Sequence, residues 1–311
     1  MTTTEPAEGQ QAKAPTCYRH PKRETYVRCV RCDRYMCPDC MRDAVVGHHC
    51  VECVRQANKT VRQPRTIFGG RITGTPLITG TLIAINVLAY LGELVRPGII
   101  DRFDSLGIGL ARSDGRHFAF NGTTYPGFDL IGIAHGEWYR LITSTFLHLR
   151  PTAGLFGIAH IVFNMWWLWR LGPDLEEQLG RVRFLTLYLL AGLGGSTLGF
   201  LIAPDTAAVG ASGAIFGLVA AYYITSRRLH RSMADAGPIL VYSLIWLVIS
   251  ASFTSWEGHL GGLIIGGTLA LAYAYAPQRQ RTFLHLTASA GLFVLLIALV
   301  ALKSAQLTGT V

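Results

Sequence analysis

The chain reads as an all-α polytopic membrane protein preceded by a small zinc-stapled domain, and three observations carry that expectation. Half of the 311 residues are hydrophobic and only 15% are charged, against roughly a quarter in soluble domains. All seven cysteines fall between Cys17 and Cys53. Beyond them, windows free of Asp, Glu, Lys and Arg recur at about 20 residues each, the length a helix rising about 1.5 Å per residue needs to cross hydrocarbon. The formal charge of +9 suits either nucleic acid or an anionic membrane surface. Because the basic residues lie between apolar windows, the lipid bilayer is the expected partner and nucleic acid is not.

Residues 1–16 are polar and have nothing to bury, so they read as a disordered tail. With no apolar run there, no signal peptide is expected, and the first domain stays in the cytoplasm.

Residues 17–54 carry four ligand pairs, Cys17-x-x-His20, Cys29-x-x-Cys32, Cys37-x-x-Cys40 and Cys50-x-x-Cys53. A two-residue gap turns both side chains of a pair towards one ion, and two pairs complete the tetrahedral shell of Zn²⁺. Eight ligands predict two structural zinc ions. The expected pairing is interleaved: Cys17, His20, Cys37 and Cys40 on one ion, Cys29, Cys32, Cys50 and Cys53 on the other. His48 and His49 are alternatives to Cys50. A cytoplasmic location argues against disulfides, and a segment with so little apolar content folds on binding metal. The pattern resembles B-box-type zinc fingers, which implies a protein partner for this domain. Residues 55–71, with Arg55, Lys59, Arg62, Arg65 and Arg71, then read as a basic linker, a solvated tether beside anionic headgroups.

The charge-free windows are Ile72–Gly92, Pro151–Trp169, Phe184–Pro204, Thr206–Ser226, Ala236–Trp256, Gly258–Gln278 and Thr282–Leu302. Arg170, Arg181 and Arg183 follow the second, Arg227, Arg228 and Arg231 the fourth, and Arg279 and Arg281 the sixth. The alternate short loops, at Asp205 and Glu257, have no Lys or Arg. By the positive-inside rule the protein is a multi-pass protein of the cell membrane, its N-terminus cytoplasmic and its C-terminus outside. The long connection from Glu93 to Arg150 is then external. Its part from Phe128 to Thr145 is too broken by Asp129, Glu137 and Arg140 to span, and is expected to lie in the outer interface.

Polar groups within spans call for explanation, because unpaired ones are costly in hydrocarbon. His160 and Asn164, four apart, share a helix face. Ser212 opens an apolar run within Gly210-Ala211-Ser212-Gly213, where the first backbone N–H groups of a helix lack intrahelical partners. His259 heads another span, followed by Gly262-x-x-x-Gly266, a spacing that permits close helix approach; Gly213 serves the same packing. The predicted topology puts Ser212 and His259 at similar depth below the outer surface. That suits a nucleophile–base pair, with oxyanion donors from the Ser212 N–H, His160 and Asn164. No acidic residue lies within a span to orient His259, so a dyad is expected, with Phe216, one turn after Ser212, stacked on the imidazole. Position 214 is Ala, which excludes the nucleophile elbow of soluble hydrolases.

Taken together, Trp138-Tyr139-Arg140, His160-x-x-x-Asn164, Gly210-x-Ser212-Gly213 and Gly258-His259-Leu260-Gly261-Gly262 resemble the rhomboid family of intramembrane serine proteases over roughly residues 75 to 276. The resemblance implies a rhomboid-like six-helix core over residues 72–278, with residues 279–311 as a seventh transmembrane helix and tail. It implies a Ser212/His259 dyad that needs no cofactor for catalysis, and cleavage in or near the transmembrane segment of membrane-protein substrates. Glu176, read as lying in the loop before Leu179-Gly180-Arg181, matches a structural acidic position of that family. Gly258 stands where many members have Ala, and the stretch from His148 to His160 is longer than their usual spacing. The alternative is a catalytically silent rhomboid-like protein that binds transmembrane helices and carries a zinc-finger adaptor. A transporter is disfavoured, because no ionisable pairs are expected at mid-membrane.

Overall fold

The computed structural model describes residues 13–60, 65–71, 74–114, 116–252 and 254–309. The chain divides into two compact units, Met1–Gln63 and Pro64–Val311.

The first unit is made of short pieces. Bridges join Thr16 to Glu24 and Arg28 to Tyr35. A tight turn at Pro38–Cys40 leads into strand β1 (Met41–Asp43), which pairs antiparallel with β2 (His48–Cys50), Met41 facing Cys50; helix α1 (Val51–Thr60) follows. The interior is cysteine: Cys17, Cys29, Cys37, Cys40 and Cys50 are buried, with Met36 among them. Order therefore reaches further towards the N-terminus than the predicted tail allows, since the carbonyl of Pro15 accepts the N–H of Thr25. Residues 1–12 of that tail lie outside the described residues.

The second unit opens with a turn at 65–71, closed by a bridge between Arg65 and Arg71. The predicted solvated linker is corrected here. Arg55 and Lys59 lie on α1, and Arg62 falls outside the described residues. Phe68 is buried in the helical core, and Gly70 sits so close to Leu179 and Gly180 that a Cβ would lie 2.5 Å from the Leu179 carbonyl oxygen. An aromatic ring needs a core, and this one finds it at the end of the bundle.

Among the described residues, seven long apolar helices follow the expected windows with shifted ends: α2 (Leu77–Val95), α5 (Leu155–Leu179), α6 (Arg181–Ile202), α7 (Ser212–Arg228), α8 (Met233–Ile249), α9 (Trp256–Tyr275) and α10 (Arg281–Thr308). Of these, α2, α6 and α10 are by length and composition alone apolar enough to cross a membrane. The largest difference is at α7. The charge-free window begins at Thr206, but the helix begins only at Ser212. The preceding strip is held instead by backbone bonds from Ser105 to Ala208 and from Gly210 to Ser144. Thr206–Val209 line a cavity, a setting in which non-helical backbone is tolerated.

The long connection is not a simple interfacial dip. It contains helix α3 (Gly98–Phe103), strands β3 (Gly109–Arg112), β4 (His117–Ala119) and β5 (Phe128–Ile131) in one antiparallel sheet with β3 central, and the short helix α4 (Arg140–Thr143). Arg140, 1% exposed, is its anchor. Its guanidinium donates to Glu137 Oε2 and Asp104 Oδ1, each at 2.7 Å, and to the carbonyls of Asp101 and Asp104. Burial pushes the Asp104 carboxyl up to about 6, with Arg140 opposing it. Partial burial works the same way on Glu137, but its bond to Arg140 outweighs it and the carboxyl lies below its usual range.

Glu176 is also corrected: it lies inside α5, not in a loop. Its carboxylate accepts the N–H groups of Ile78 and Thr79 and the Thr79 hydroxyl at 2.8–3.0 Å. It thereby caps the N-terminus of α2 from another helix, where unpaired amides and the helix dipole favour an anion.

At the centre, α6, α7 and α9 meet backbone to backbone. A Cβ on Gly262 would lie 1.8 Å from the Gly213 carbonyl oxygen, one on Gly266 2.3 Å from Gly217 Cα, and one on Gly195 2.6 Å from the Gly258 carbonyl oxygen. Hydrocarbon gives helices no hydrophobic reason to associate, so approach this close supplies dispersion contact instead.

Candidate active site

This glycine contact fixes where two side chains meet. Ser212 is the first residue of α7 and His259 lies in the first turn of α9. Their helices touch through Gly213 and Gly262, so Ser212 Oγ and His259 Nε2 come within 3.0 Å. Phe216, one turn further along α7, stacks on the His259 ring with centroids 4.5 Å apart and planes 10° from parallel. His259 Nδ1 has no hydrogen-bond partner among the described residues. With Nε2 accepting the serine proton, Nδ1 carries the ring hydrogen. Two carboxylates that the sequence placed between spans, Glu93 and Glu257, lie on helices instead. Glu93 on α2 accepts the His148 N–H, and Glu257 in the first turn of α9 borders the cavity; neither bonds His259.

His160 and Asn164 lie on α5, facing the same place. Gly210 separates the His160 ring from the serine: a Cβ there would lie 2.9 Å from His160 Nε2 and 3.5 Å from Ser212 Oγ. Gly210 also has φ +135°, a conformation side-chain-bearing residues avoid. His160 Nδ1 accepts the N–H of Leu149 at 3.2 Å, which places the ring hydrogen on Nε2, the nitrogen beside Gly210. One Asn164 amide hydrogen is committed to the His160 carbonyl at 2.7 Å. A cavity of about 850 Å³ opens over the group; His160, Asn164, Ser212, Phe216 and His259 line it, and Tyr242 and Trp246 of α8 border it.

Leu149 was not singled out by sequence reasoning, because a backbone donor leaves no mark on residue type. Its one trace was the extended spacing from His148 to His160. That stretch is pinned by Arg150, which pairs with Asp101 and donates to the Pro97 carbonyl, and it turns through Pro151–Ala153 before α5 begins. His148 itself is fully buried against the His160 ring, 5.2 Å between centroids. Burial, reinforced by that neighbour, holds its ring down to about 3.

In the first unit the eight predicted ligands gather into two groups, Cys17, His20, Cys37 and Cys40, and Cys29, Cys32, Cys50 and Cys53, the donor atoms of each lying within 4.8 Å of one another. His48 and His49 belong to neither; His48 faces Asp43 across the β1–β2 pair. A tetrahedral ion with metal–sulfur bonds of about 2.3 Å requires sulfur–sulfur edges of about 3.8 Å. Cys32 and Cys50 sulfurs are 3.7 Å apart, and His20 Nδ1 is 3.2–3.8 Å from its three cysteine sulfurs. Both groups can hold a metal ion, and their thiolate-rich donor sets fit zinc.

Fold and site together define a polytopic helical membrane protein with a serine–histidine pair lining a cavity. The Rhomboid domain profile matches residues 135–278. The chain is 40% identical over 150 residues to the rhomboid protease GluP of Bacillus subtilis (strain 168), spanning 47% of this chain and 28% of that protein. It is 33% identical over 165 residues to the rhomboid protein YdcA of the same organism, spanning 51% and 78% respectively. With the rhomboid protease AarA of Providencia stuartii it shares 25% identity over 236 residues, 67% of this chain and 76% of that one. The chain belongs to the rhomboid family, whose members are multi-pass membrane proteins.

Proposed function

We propose that this protein is an intramembrane serine endopeptidase that hydrolyses a peptide bond in or near the transmembrane segment of membrane-protein substrates. The observation that carries this reading is the 3.0 Å approach of Ser212 Oγ to His259 Nε2 under a cavity roomy enough for an extended peptide. Ser212 Oγ attacks the scissile carbonyl as His259 Nε2 takes its proton. The oxyanion is met by the Ser212 N–H at the helix start, by His160 Nε2–H and by the second Asn164 amide hydrogen. His259 returns its proton to the leaving amine. It then draws one from a water that attacks the acyl-enzyme, freeing Ser212. Phe216 keeps the imidazole plane in register in place of a carboxylate.

In this reading the N-terminus is cytoplasmic and the C-terminus outside, as the arginine-bearing loops indicate. Catalysis uses no metal from the first unit. Two zinc ions would be held there by Cys17, His20, Cys37 and Cys40 and by Cys29, Cys32, Cys50 and Cys53. They supply structural cross-links, and the unit serves a protein partner.

Ser212→Ala is expected to leave the protein folded, abolish cleavage of a reconstituted transmembrane substrate and abolish labelling by a fluorophosphonate probe. Cleavage retained in that variant would refute the assignment. No cleavage or labelling by the wild type would favour a silent, helix-binding relative. His160→Ala should lower kcat by about 10²–10³ with little change in KM, the signature of a lost oxyanion donor.

A further inference from the structure

At the end of the bundle where α5 turns into α6, cations are gathered without anions. Arg183 and Arg281 converge on Gly69: a Cβ there would lie 3.4 Å from Arg183 Nη2, 3.4 Å from Arg281 Nη1 and 2.9 Å from Arg281 Cδ. Arg65 reaches the same glycine, its Nη1 3.5 Å from the Gly69 carbonyl oxygen. Among the described residues none of the three is in an ion pair; the nearby carboxylates of Glu176 and Asp174 are taken by Arg181 and Arg231.

Arg183 is positioned deliberately. Its Nε–H donates to Nδ1 of His285 at 2.7 Å, and the buried His285 ring uses Nε2 to reach the Tyr273 carbonyl, 3.2 Å away. A neutral imidazole thus fixes the guanidinium without cancelling its charge, and among the described residues neither terminal nitrogen is in a hydrogen bond or ion pair. Three like charges around one glycine repel one another. The N-terminal ends of α6 and α10, at Arg181 and Arg281, add positive partial charge to the same place. Beside the cluster, Val182, Phe283 and Leu286 are 78%, 67% and 65% exposed. On a membrane-spanning helix such apolar side chains face lipid.

We propose that Arg65, Arg183 and Arg281 form a headgroup site for one anionic phospholipid, the phosphate bound by guanidinium N–H donors and the acyl chains lying along Val182, Phe283 and Leu286. Guanidiniums suit phosphate because they donate paired, charge-assisted hydrogen bonds. The exposed apolar side chains are the reason to assign a lipid rather than free phosphate. The site lies outside the catalytic centre and stands whether or not the dyad is active.

The test uses the full chain in detergent, with lipid binding followed by native mass spectrometry and thermal unfolding. Phosphatidylglycerol is expected to bind at least about tenfold more tightly than phosphatidylcholine, and Arg183→Gln/Arg281→Gln should erase that preference. Arg227→Gln, which removes the same charge elsewhere, should keep it. If losing the Arg183–His285 bond prevents folding, Arg281→Gln alone carries the test, since that guanidinium serves no ion pair among the described residues. A preference that survives the substitutions overturns the proposal. So does one lost equally in Arg227→Gln, which would mark a diffuse field, or inorganic phosphate protecting as well as the lipid, which would mark a free-anion site.

Discussion

The two units face the same difficulty and meet it with different chemistry. The first is too small to bury a useful apolar core; among the described residues its interior is six buried cysteines with Met36, and its regular structure is a tight turn at Pro38–Cys40, two three-residue strands and one ten-residue helix. The second has ample apolar surface, but in a bilayer that surface gains little by leaving lipid for protein. Neither can rely on the force that folds soluble domains. One gathers its Cys and His donors into two groups that can hold metal ions, the other relies on glycine-to-backbone contact. Both are short-range and unforgiving, so each unit should fail abruptly when its own device is removed and ignore the other's removal.

Metal removal should have the largest effect. Stripping the protein with a strong chelator, or Cys37→Ser, is expected to unfold the first unit completely, because the binding energy of a structural zinc is most of the folding energy of such a domain. Amide hydrogen exchange would show protection lost across residues 17–60, while fluorophosphonate labelling of Ser212 continues. Loss of labelling on chelation would break the comparison.

Gly262→Ala is the corresponding blow to the second unit. A methyl 1.8 Å from the Gly213 carbonyl oxygen forces α7 and α9 apart, at a cost of about 1–3 kcal/mol or more. Thermal unfolding should fall and labelling of Ser212 should vanish, since the same contact sets the dyad distance. Gly267 is the control. A Cβ there meets only Ala220 Cβ at 3.5 Å, an ordinary contact, so Gly267→Ala should be close to neutral. Equal effects at the two positions would mean that helix propensity, not approach, decides them.

This contrast also separates what the sequence disclosed from what it withheld. Side-chain chemistry at fixed spacing was legible: the Cys-x-x-Cys pairs announced two interleaved clusters, and Ser212, His259, His160 and Asn164 stood out because polar groups in apolar windows need a reason. Features carried by backbone or by distant partners were not. Nothing in the composition of residues 55–71 distinguishes a tether from a turn that buries Phe68. Absence of charge marked Thr206–Ser226 as a span, yet its first residues leave the helix to bond with Ser105 and Ser144. Leu149 meets His160 through its backbone N–H. Glu176 looked like a loop acid because its role, capping α2, depends on an amide 98 residues earlier, that of Ile78.

Glu176→Gln should come next in size. The replacement amide offers one acceptor where the carboxylate serves Ile78 and Thr79 together, and its NH₂ would face donors. Loss of a buried, charge-assisted cap predicts about 1–3 kcal/mol of destabilisation. It should be read in thermal unfolding, with Ser212 still labelled in the folded fraction.

The smallest effect is expected at α8, which uses neither device. It buries only Ala236 and Ser243, carries no glycine in backbone contact with a neighbour, and leaves Tyr242, Ile245 and Val248 exposed while Tyr242 and Trp246 border the cavity. A wall held so lightly should move at little cost, and under the proposed function it borders the cavity that a transmembrane substrate must reach. Tyr242→Ala is therefore expected to shift unfolding by no more than about 0.5 kcal/mol, the scale of an exposed substitution. Cleavage of a reconstituted transmembrane substrate should change more than labelling by a small fluorophosphonate, because only the larger molecule needs α8 displaced. If Tyr242→Ala instead destabilised the protein as much as Gly262→Ala, α8 would belong to the packed centre, and the division between a rigid half that holds the dyad and a yielding half that admits substrate would be lost.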